Sequence, residues 1–306
     1  MFRNLSKKSK NNYYCYIEPV LLQSDLVPDT LFMRNSLPSN KQILITGGSS
    51  GLGLALVRLF LKDGYSVVAT GRQQICLPEY GQRFEFHRVD FSNLSQTAES
   101  LRKICETHNF SLIINNAGIL SPPVYTATAD GFEYTFQINF LSQLIVDEIV
   151  LLNADQGSSV KIAAITSMVY RLSSLGSIKL GEVNNYRPLK AYSDSKHLLI
   201  LMSRHLSAKY KHLYLKCFTF DPGVFSSGIY RMQNKLFRQL YMIAAPYMRK
   251  PEKVAAVLAD LLINHDIIDG SVYNIRKKIK RFAKTDPSVV DLFWKNVYST
   301  IDIYLK

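Results

Sequence analysis

An apolar run, Gln42-Ile43-Leu44-Ile45-Thr46, passes directly into Gly47-Gly48-Ser49-Ser50-Gly51-Leu52-Gly53 and then into a helix-periodic series through Leu54, Leu56, Val57, Leu59, Phe60 and Leu61. Strand, glycine turn and helix in that order form the first half of a βαβ unit, which calls for a parallel sheet. Glycines at such a turn let backbone approach a pyrophosphate, and the helix N-terminus offers unpaired N–H groups to an anion. The spacing is Gly47-x-x-x-Gly51-x-Gly53, not G-x-G-x-x-G. A turn without a ligand is the bland alternative.

The alternation continues. A second strand, Tyr65 to Thr70, ends in Gly71-Arg72, where an acidic residue would bond the ribose 2′-hydroxyl of NAD. Arg72 instead offers a planar fork suited to a 2′-phosphate, which favours NADP over NAD; a solvent-facing arginine is the alternative. A third strand, Arg83 to Val89, ends at Asp90, and a helix follows through Leu94, Leu101 and Ile104. A fourth, Phe110 to Ile114, runs into Asn115-Asn116-Ala117-Gly118. A long helix around Gly131 to Leu152 holds Asn139 among apolar neighbours, where a buried amide needs partners. The fifth strand, Val160 to Ile165, ends at Thr166-Ser167, and the sixth, Leu213 to Phe220, delivers Asp221-Pro222-Gly223-Val224-Phe225-Ser226-Ser227. This predicts a doubly wound, Rossmann-type parallel sheet with ligands outside the carboxyl ends of its strands.

Between the last two strands lies Tyr192-Ser193-Asp194-Ser195-Lys196, on a helix expected from Leu189 to Tyr210. Residues four apart share a helix face, so one ammonium sits near one phenol and can stabilise its phenolate. Taken alone such a pair is more often structural.

These motifs, in this order, resemble the short-chain dehydrogenase/reductase family over residues 42–275: Thr46-Gly47-x-x-x-Gly51-x-Gly53, Asn115-Asn116-Ala117-Gly118, Asn139, Ser167, Tyr192-x-x-x-Lys196 and Pro222-Gly223. The long interval from Ser167 to Tyr192, the stretch Pro251 to Ala256 and Leu292-Phe293-Trp294 resemble its retinol-dehydrogenase-like branch. The resemblance implies four catalytic residues. Tyr192 is the general acid in carbonyl reduction and the general base in alcohol oxidation. Lys196 lowers the pKa of Tyr192 and bonds the nicotinamide ribose, Ser167 bonds the substrate oxygen, and Asn139 supports the proton relay. It further implies cofactor contacts from Gly47, Ser49, Ser50, Gly51, Leu52, Gly53 and Arg72. Asp90 would meet the adenine, Asn116, Ala117 and Gly118 the adenosine ribose region, and Pro222, Gly223 and Ser227 the nicotinamide end. Asp221 stands where the branch commonly has histidine, and Thr166 where serine is frequent. A non-catalytic nucleotide-binding protein of the same fold is the competing class.

The remaining chain divides into an N-terminal extension, residues 1–41, and a basic segment with a C-terminal helix, residues 276–306. The extension carries Pro19, Pro28 and Pro38 and no sustained period. A substrate lid is expected at 228–250, where apolar residues alternate with Arg231, Lys235 and Arg238. Such a lid suits a lipophilic carbonyl or alcohol, with or without a negative group, or peripheral contact with an anionic membrane; ordinary core packing is the alternative. The net charge of +13 is concentrated there, with twelve Lys/Arg against four Asp/Glu between Arg231 and Lys284. An acidic substrate, an anionic membrane or nucleic acid would each suit that charge, yet no nucleic-acid motif accompanies it. Four scattered cysteines without ligand spacing predict no structural metal and a reducing, cytoplasmic setting, and His205 and His212, expected to share a side of a helix end, lack a carboxylate or thiol companion for a metal. No run approaches a membrane span in length. The expected assembly is a monomer or homodimer.

Overall fold

The computed structural model describes residues 42–173, 186–229, 239, 242, 245–280 and 287–306. The strands are β1 (Gln42–Thr46), β2 (Ser66–Gly71), β3 (Phe84–Arg88), β4 (Phe110–Asn115), β5 (Lys161–Ile165), β6 (Lys216–Asp221), β7 (Val272–Asn274) and β8 (Ile279–Lys280). They form one sheet in the order β3-β2-β1-β4-β5-β6-β7-β8. All neighbours pair in parallel except the final hairpin, where β8 runs antiparallel to β7. The chain reverses direction across the sheet between β1 and β4, the switch point at which doubly wound sheets open a crevice.

Among the described residues six helices flank the sheet: α1 (Gly51–Lys62), α2 (Leu94–Cys105), α3 (Tyr134–Leu152), α4 (Pro188–Lys209), α5 (Pro251–Asn264) and α6 (Pro287–Leu305). On one face α1 and α5 close a core containing Leu56, Phe60, Leu258 and Leu262 against Ile43, Ile45 and Phe218. On the other, α2, α3, α4 and α6 enclose Leu44, Phe140, Leu144, Leu198 and Trp294. The central strands therefore lose water on both sides, as their unbroken apolar runs require. Local chemistry sets the helix starts. Asn93 accepts from Gln96 N at 2.8 Å to cap α2, Glu133 accepts from Phe136 N at 2.7 Å to cap α3, and proline stands in the first turn of α4 and α5.

Several expected boundaries move. The helix expected from Gly131 begins at Tyr134, because Gly131 has φ +86° and cannot be helical. Inside α3 the residues Gln137–Leu141 form a π turn that carries Asn139. By length and hydropathy α3 is apolar enough to cross a bilayer, contrary to the sequence expectation, yet 89% of its most apolar window is buried in the protein. The sixth strand starts at Lys216, not Leu213, and the third is the shorter Phe84–Arg88. His212 lies beyond the end of α4 and does not share a helix face with His205, whose ring stacks on Trp294 with centroids 4.0 Å apart. Helix α6 packs on the main core through Trp294, Val297 and Ile301, so it belongs to the same folded unit. The N-terminal extension and most of the expected lid, including Arg231, Lys235 and Arg238, lie outside the described residues.

Candidate active site

The glycine turn after β1 is held by one hydroxyl. Thr46 Oγ1 donates to Gln143 Oε1 at 2.8 Å and accepts from Asn116 N at 3.1 Å and Ala117 N at 3.0 Å. Asn116 Nδ2 in turn donates to the carbonyls of Thr46 and Gly47 at 3.0 and 3.1 Å. The loops after β1 and β4 are thus locked together across the switch point. Their closeness leaves no room for side chains: a Cβ on Gly53 would stand 2.2 Å from Gly47 O and 2.5 Å from Asn116 Nδ2. Gly47, at φ +67°, would meet Ala117 Cα at 2.8 Å. Ser50 precedes α1 in extended conformation without a side-chain cap, so the first-turn N–H groups keep no intrahelical or capping partner.

Above this cradle lies a cleft of about 620 Å³. It crosses the carboxyl ends of β1 to β6. Gly47, Ser49, Ser50, Gly51 and Leu52 form its floor. Arg72 and Asp90 lie toward one end, with Asn116, Ala117 and Gly118 between them and Ser167, Tyr192, Lys196, Pro222, Gly223 and Ser227. Arg72, Asp90 and Lys196 are the charged residues on its described walls. Asp90 Oδ1 accepts from Ser92 N at 3.0 Å and Ser92 Oγ at 2.8 Å, which fixes the turn after β3.

Lys196 is 3% exposed and donates from Nζ to Ile165 O at 2.9 Å. Burial pushes its pKa down to about 8. Its Nζ lies 5.8 Å from the ring centroid of Tyr192, itself 8% exposed, one turn earlier on α4. Thr166 Oγ1 donates to Lys196 O at 2.8 Å, tying α4 to the end of β5, where Ser167 adopts extended backbone. Asn139 is fully buried behind the wall. Its Oδ1 accepts from Ile119 N at 2.8 Å, and its Nδ2 donates to Ile119 O and to Ser195 Oγ, both at 3.0 Å. Gly118 is where these parts converge, since a Cβ there would meet Asn139 Oδ1 and Lys196 Nζ at 3.2 Å each.

All but two of the residues singled out from the sequence line the cleft. The exceptions are Asn139, which braces the wall from inside, and Gly53, whose role is to let Gly47 and Asn116 approach. Sequence reasoning quoted Thr46 within a motif but gave it no role, and gave none to Ser195, Gln73 or Phe225 at this site. Only Thr46 had a visible signal, a hydroxyl at the end of a buried strand. Asp221 is 5% exposed and accepts from Gly223 N at 3.0 Å, so it shapes the Pro222-Gly223 turn.

A sequence profile described as short chain dehydrogenase matches residues 41–237. Retinol dehydrogenase 14 of Mus musculus is 25% identical over 288 residues, covering 84% of this chain and 85% of its own. Oxidoreductase calI of Penicillium decumbens is 27% identical over 256 residues, covering 78% and 71%. Among solved structures, the closed form of serine dehydrogenase complexed with NADP+ aligns with a TM-score of 0.60 at 16% identity, over 80% of this chain and 98% of that one. A short chain dehydrogenase family protein from Francisella tularensis aligns at 0.59 and 19%, over 77% and 96%. The structural likeness shows the fold; the profile match, spanning more than half of the chain, shows the family. With its Gly47 turn, its Tyr192/Lys196 helix and its kinship to retinol dehydrogenases, the chain belongs to the short chain dehydrogenase family, oxidoreductases that use a nicotinamide cofactor on CH–OH/C=O pairs.

Proposed function

We propose that this member of the family is an NADP(H)-dependent reductase or dehydrogenase of a lipophilic carbonyl/alcohol pair. The observation that carries the reading is Lys196, a desolvated ammonium held on the cleft wall beside Tyr192. Burying a charge destabilises a fold, and a protein that only bound nucleotide could use Lys196 for the ribose but would need neither the Tyr192 phenol beside it nor the Asn139 relay behind it. The cleft suits a dinucleotide: its volume falls in the usual range for such sites, about 300–1,000 Å³. In addition, backbone stands open above Gly51, where a Cβ would meet nothing within 4 Å.

When bound, the nicotinamide supplies or accepts the hydride. The chain's own residues handle the proton and the orientation. Tyr192 Oη gives its proton to the carbonyl oxygen in reduction and takes it from the alcohol in oxidation. The Lys196 charge favours the phenolate form that oxidation needs. Ser167 Oγ donates to the same substrate oxygen as negative charge develops there. Asn139, fixed by Ile119 and Ser195, holds the inner end of the path by which the proton is replaced. Arg72 bonds the 2′-phosphate through its fork, and Asp90, Asn116, Gly118 and Ser227 align the remaining cofactor groups. A lipophilic substrate accords with the exposed Met168 and Val224 near the nicotinamide end, and with relatives named for retinol and polyprenol.

The test is a fluorescence titration with NADPH and NADH followed by a panel of lipophilic aldehydes and ketones. Tyr192→Phe is expected to bind NADPH and lose turnover, and Arg72→Ala to weaken NADPH at least tenfold more than NADH. Equal losses for both nucleotides would remove the 2′-phosphate assignment, and turnover surviving in Tyr192→Phe would remove the proton-transfer assignment.

A further inference from the structure

A second depression, of about 250 Å³, adjoins the cleft and shares Gly223 with it. Met168, Asp221 and three arginines, Arg171, Arg249 and Arg276, line it. Each arginine arrives on a different element. Arg171 sits on the short helical turn Met168–Leu172 that follows Ser167, its guanidinium 5.8 Å from the Tyr170 ring centroid. Arg249 is brought in by an isolated parallel bridge to Phe225, with Ser226 N donating to Arg249 O at 2.9 Å. Its Nη1 stands over Gly223, 3.4 Å from where a Cβ would lie and 3.4 Å from Val224 O. Arg276 occupies the β7–β8 turn, where Asn274 Oδ1 accepts from Arg276 N at 2.9 Å and Lys278 N at 3.0 Å, and Lys277 takes φ +56°.

Like charges gathered in one depression repel, and the described lining sets one carboxylate against three guanidinium groups. That carboxylate, Asp221, accepts from Gly223 N and its charge also acts on Arg171, so two positive charges of the described lining stay uncompensated. A guanidinium fork matches a carboxylate or phosphate with two parallel hydrogen bonds. The position identifies which molecule would carry that anion. Met168 directly follows Ser167, the residue assigned to the substrate oxygen. Arg72, assigned to the cofactor's 2′-phosphate, stands at the end of β2, four strand spacings or about 19 Å from β6.

We propose that this depression is an anion subsite for the substrate, so that the carbonyl or alcohol handled at Tyr192 bears a carboxylate or phosphate monoester gripped by Arg171, Arg249 and Arg276. The proposal rests on the oxidoreductase reading and specifies the substrate class within it. It also gives Asp221 a role, as the carboxylate whose hydrogen bond to Gly223 N shapes the turn beneath Arg249.

The experiment compares octanal with 8-oxooctanoate as substrates with NADPH. The acid is expected to show at least a tenfold higher kcat/KM. The ratio should fall to near parity in Arg249→Ala/Arg276→Ala and keep part of its value in the corresponding lysine variant, which retains charge without the fork. Parity in the unmodified protein, or a ratio unmoved by the substitutions, overturns the proposal. A calorimetric titration with octanoate, octanol and inorganic phosphate, with and without NADP+, reads the subsite without turnover. Octanoate should bind at least tenfold tighter than octanol, and at least tenfold more weakly to the double alanine variant. Octanoate no tighter than octanol, together with no phosphate binding that the double alanine variant loses, overturns the substrate assignment. Octanoate binding that persists when no aldehyde is reduced retires the reductase reading and leaves the anion site standing.

Discussion

Replacing Lys196 with methionine should abolish turnover and stabilise the cofactor-free protein. The reason is the fall of its pKa from 10.5 to about 8, caused by burial. At about 1.4 kcal/mol per pH unit, that difference makes the buried ammonium cost about 3 kcal/mol. Below pH 8 folded and unfolded chains both hold the proton, and folding carries the whole cost. Between pH 8 and 10.5 the unfolded chain holds it and the folded chain releases it, so stability rises with pH. Above 10.5 the cost is gone. Methionine fills similar volume without charge but leaves Ile165 O without the Nζ donor, a loss of about 1 kcal/mol. The expected net gain at pH 7 is about 2 kcal/mol, or roughly 4 °C in Tm. Urea unfolding of both proteins at pH 7 and 9.5 is the assay. The advantage of Lys196→Met should shrink by about 2 kcal/mol over that interval as the wild-type ammonium titrates. A variant less stable at pH 7, with a difference independent of pH, would refute the argument that this charge is desolvated.

Thr46→Val should cost about 2 kcal/mol in chemical denaturation, since Ala117 N loses its acceptor and Gln143 Oε1 its donor while Asn116 N keeps Ile114 O, and Thr46→Ser should retain most of the stability. Gly53→Ala should eliminate NADPH binding and lower Tm, because its methyl would overlap Gly47 O at 2.2 Å; nucleotide fluorescence reads the first effect and thermal melting the second. His205 is pushed down to about 4 by burial, so the unfolded chain takes its proton first as the medium is acidified. Stability should therefore fall between pH 6.5 and 4, and His205→Phe, which keeps the stack on Trp294, should reduce that slope in pH-dependent urea titrations, His197, pushed down to about 4 by its own burial, supplying the rest.

What could be read from the sequence was whatever one strand or helix encodes by itself. The runs at β1, β2 and β4 are apolar because both faces of the central sheet are covered, so they announced themselves, and the Gly47 turn and the Tyr192/Lys196 spacing are local patterns. Features that depend on contacts distant in sequence did not show. Thr46 meets Asn116 seventy positions away, and Arg171, Arg249 and Arg276 converge only once β5, β6 and β7 lie side by side. The π turn around Asn139 has no compositional mark, because one extra residue in a helical turn leaves the apolar character of α3 unchanged. The acid pair Asp147 and Glu148 carries no mark of burial in its own sequence, yet both are fully buried. Asn115 donates to the two Asp147 oxygens at 2.9 and 2.7 Å, while Lys209 and Tyr210 reach Glu148 at 2.7 and 2.6 Å.

Helix α6 adds Tyr298 to that last group, donating to Glu148 Oε1, and seats Trp294 against Phe140 with ring centroids 6.1 Å apart. During synthesis it leaves the ribosome after every strand of the sheet. Until then the face made by α2, α3 and α4 is one wall short, with a buried carboxylate and an aromatic cluster open to water. A chain stopped short of α6 leaves Phe140 and its neighbours without the cover of Phe293 and Trp294. A message broken after the β8 codons and before those of α6 yields a polypeptide that retains every residue assigned to catalysis here and still lacks one wall of its core.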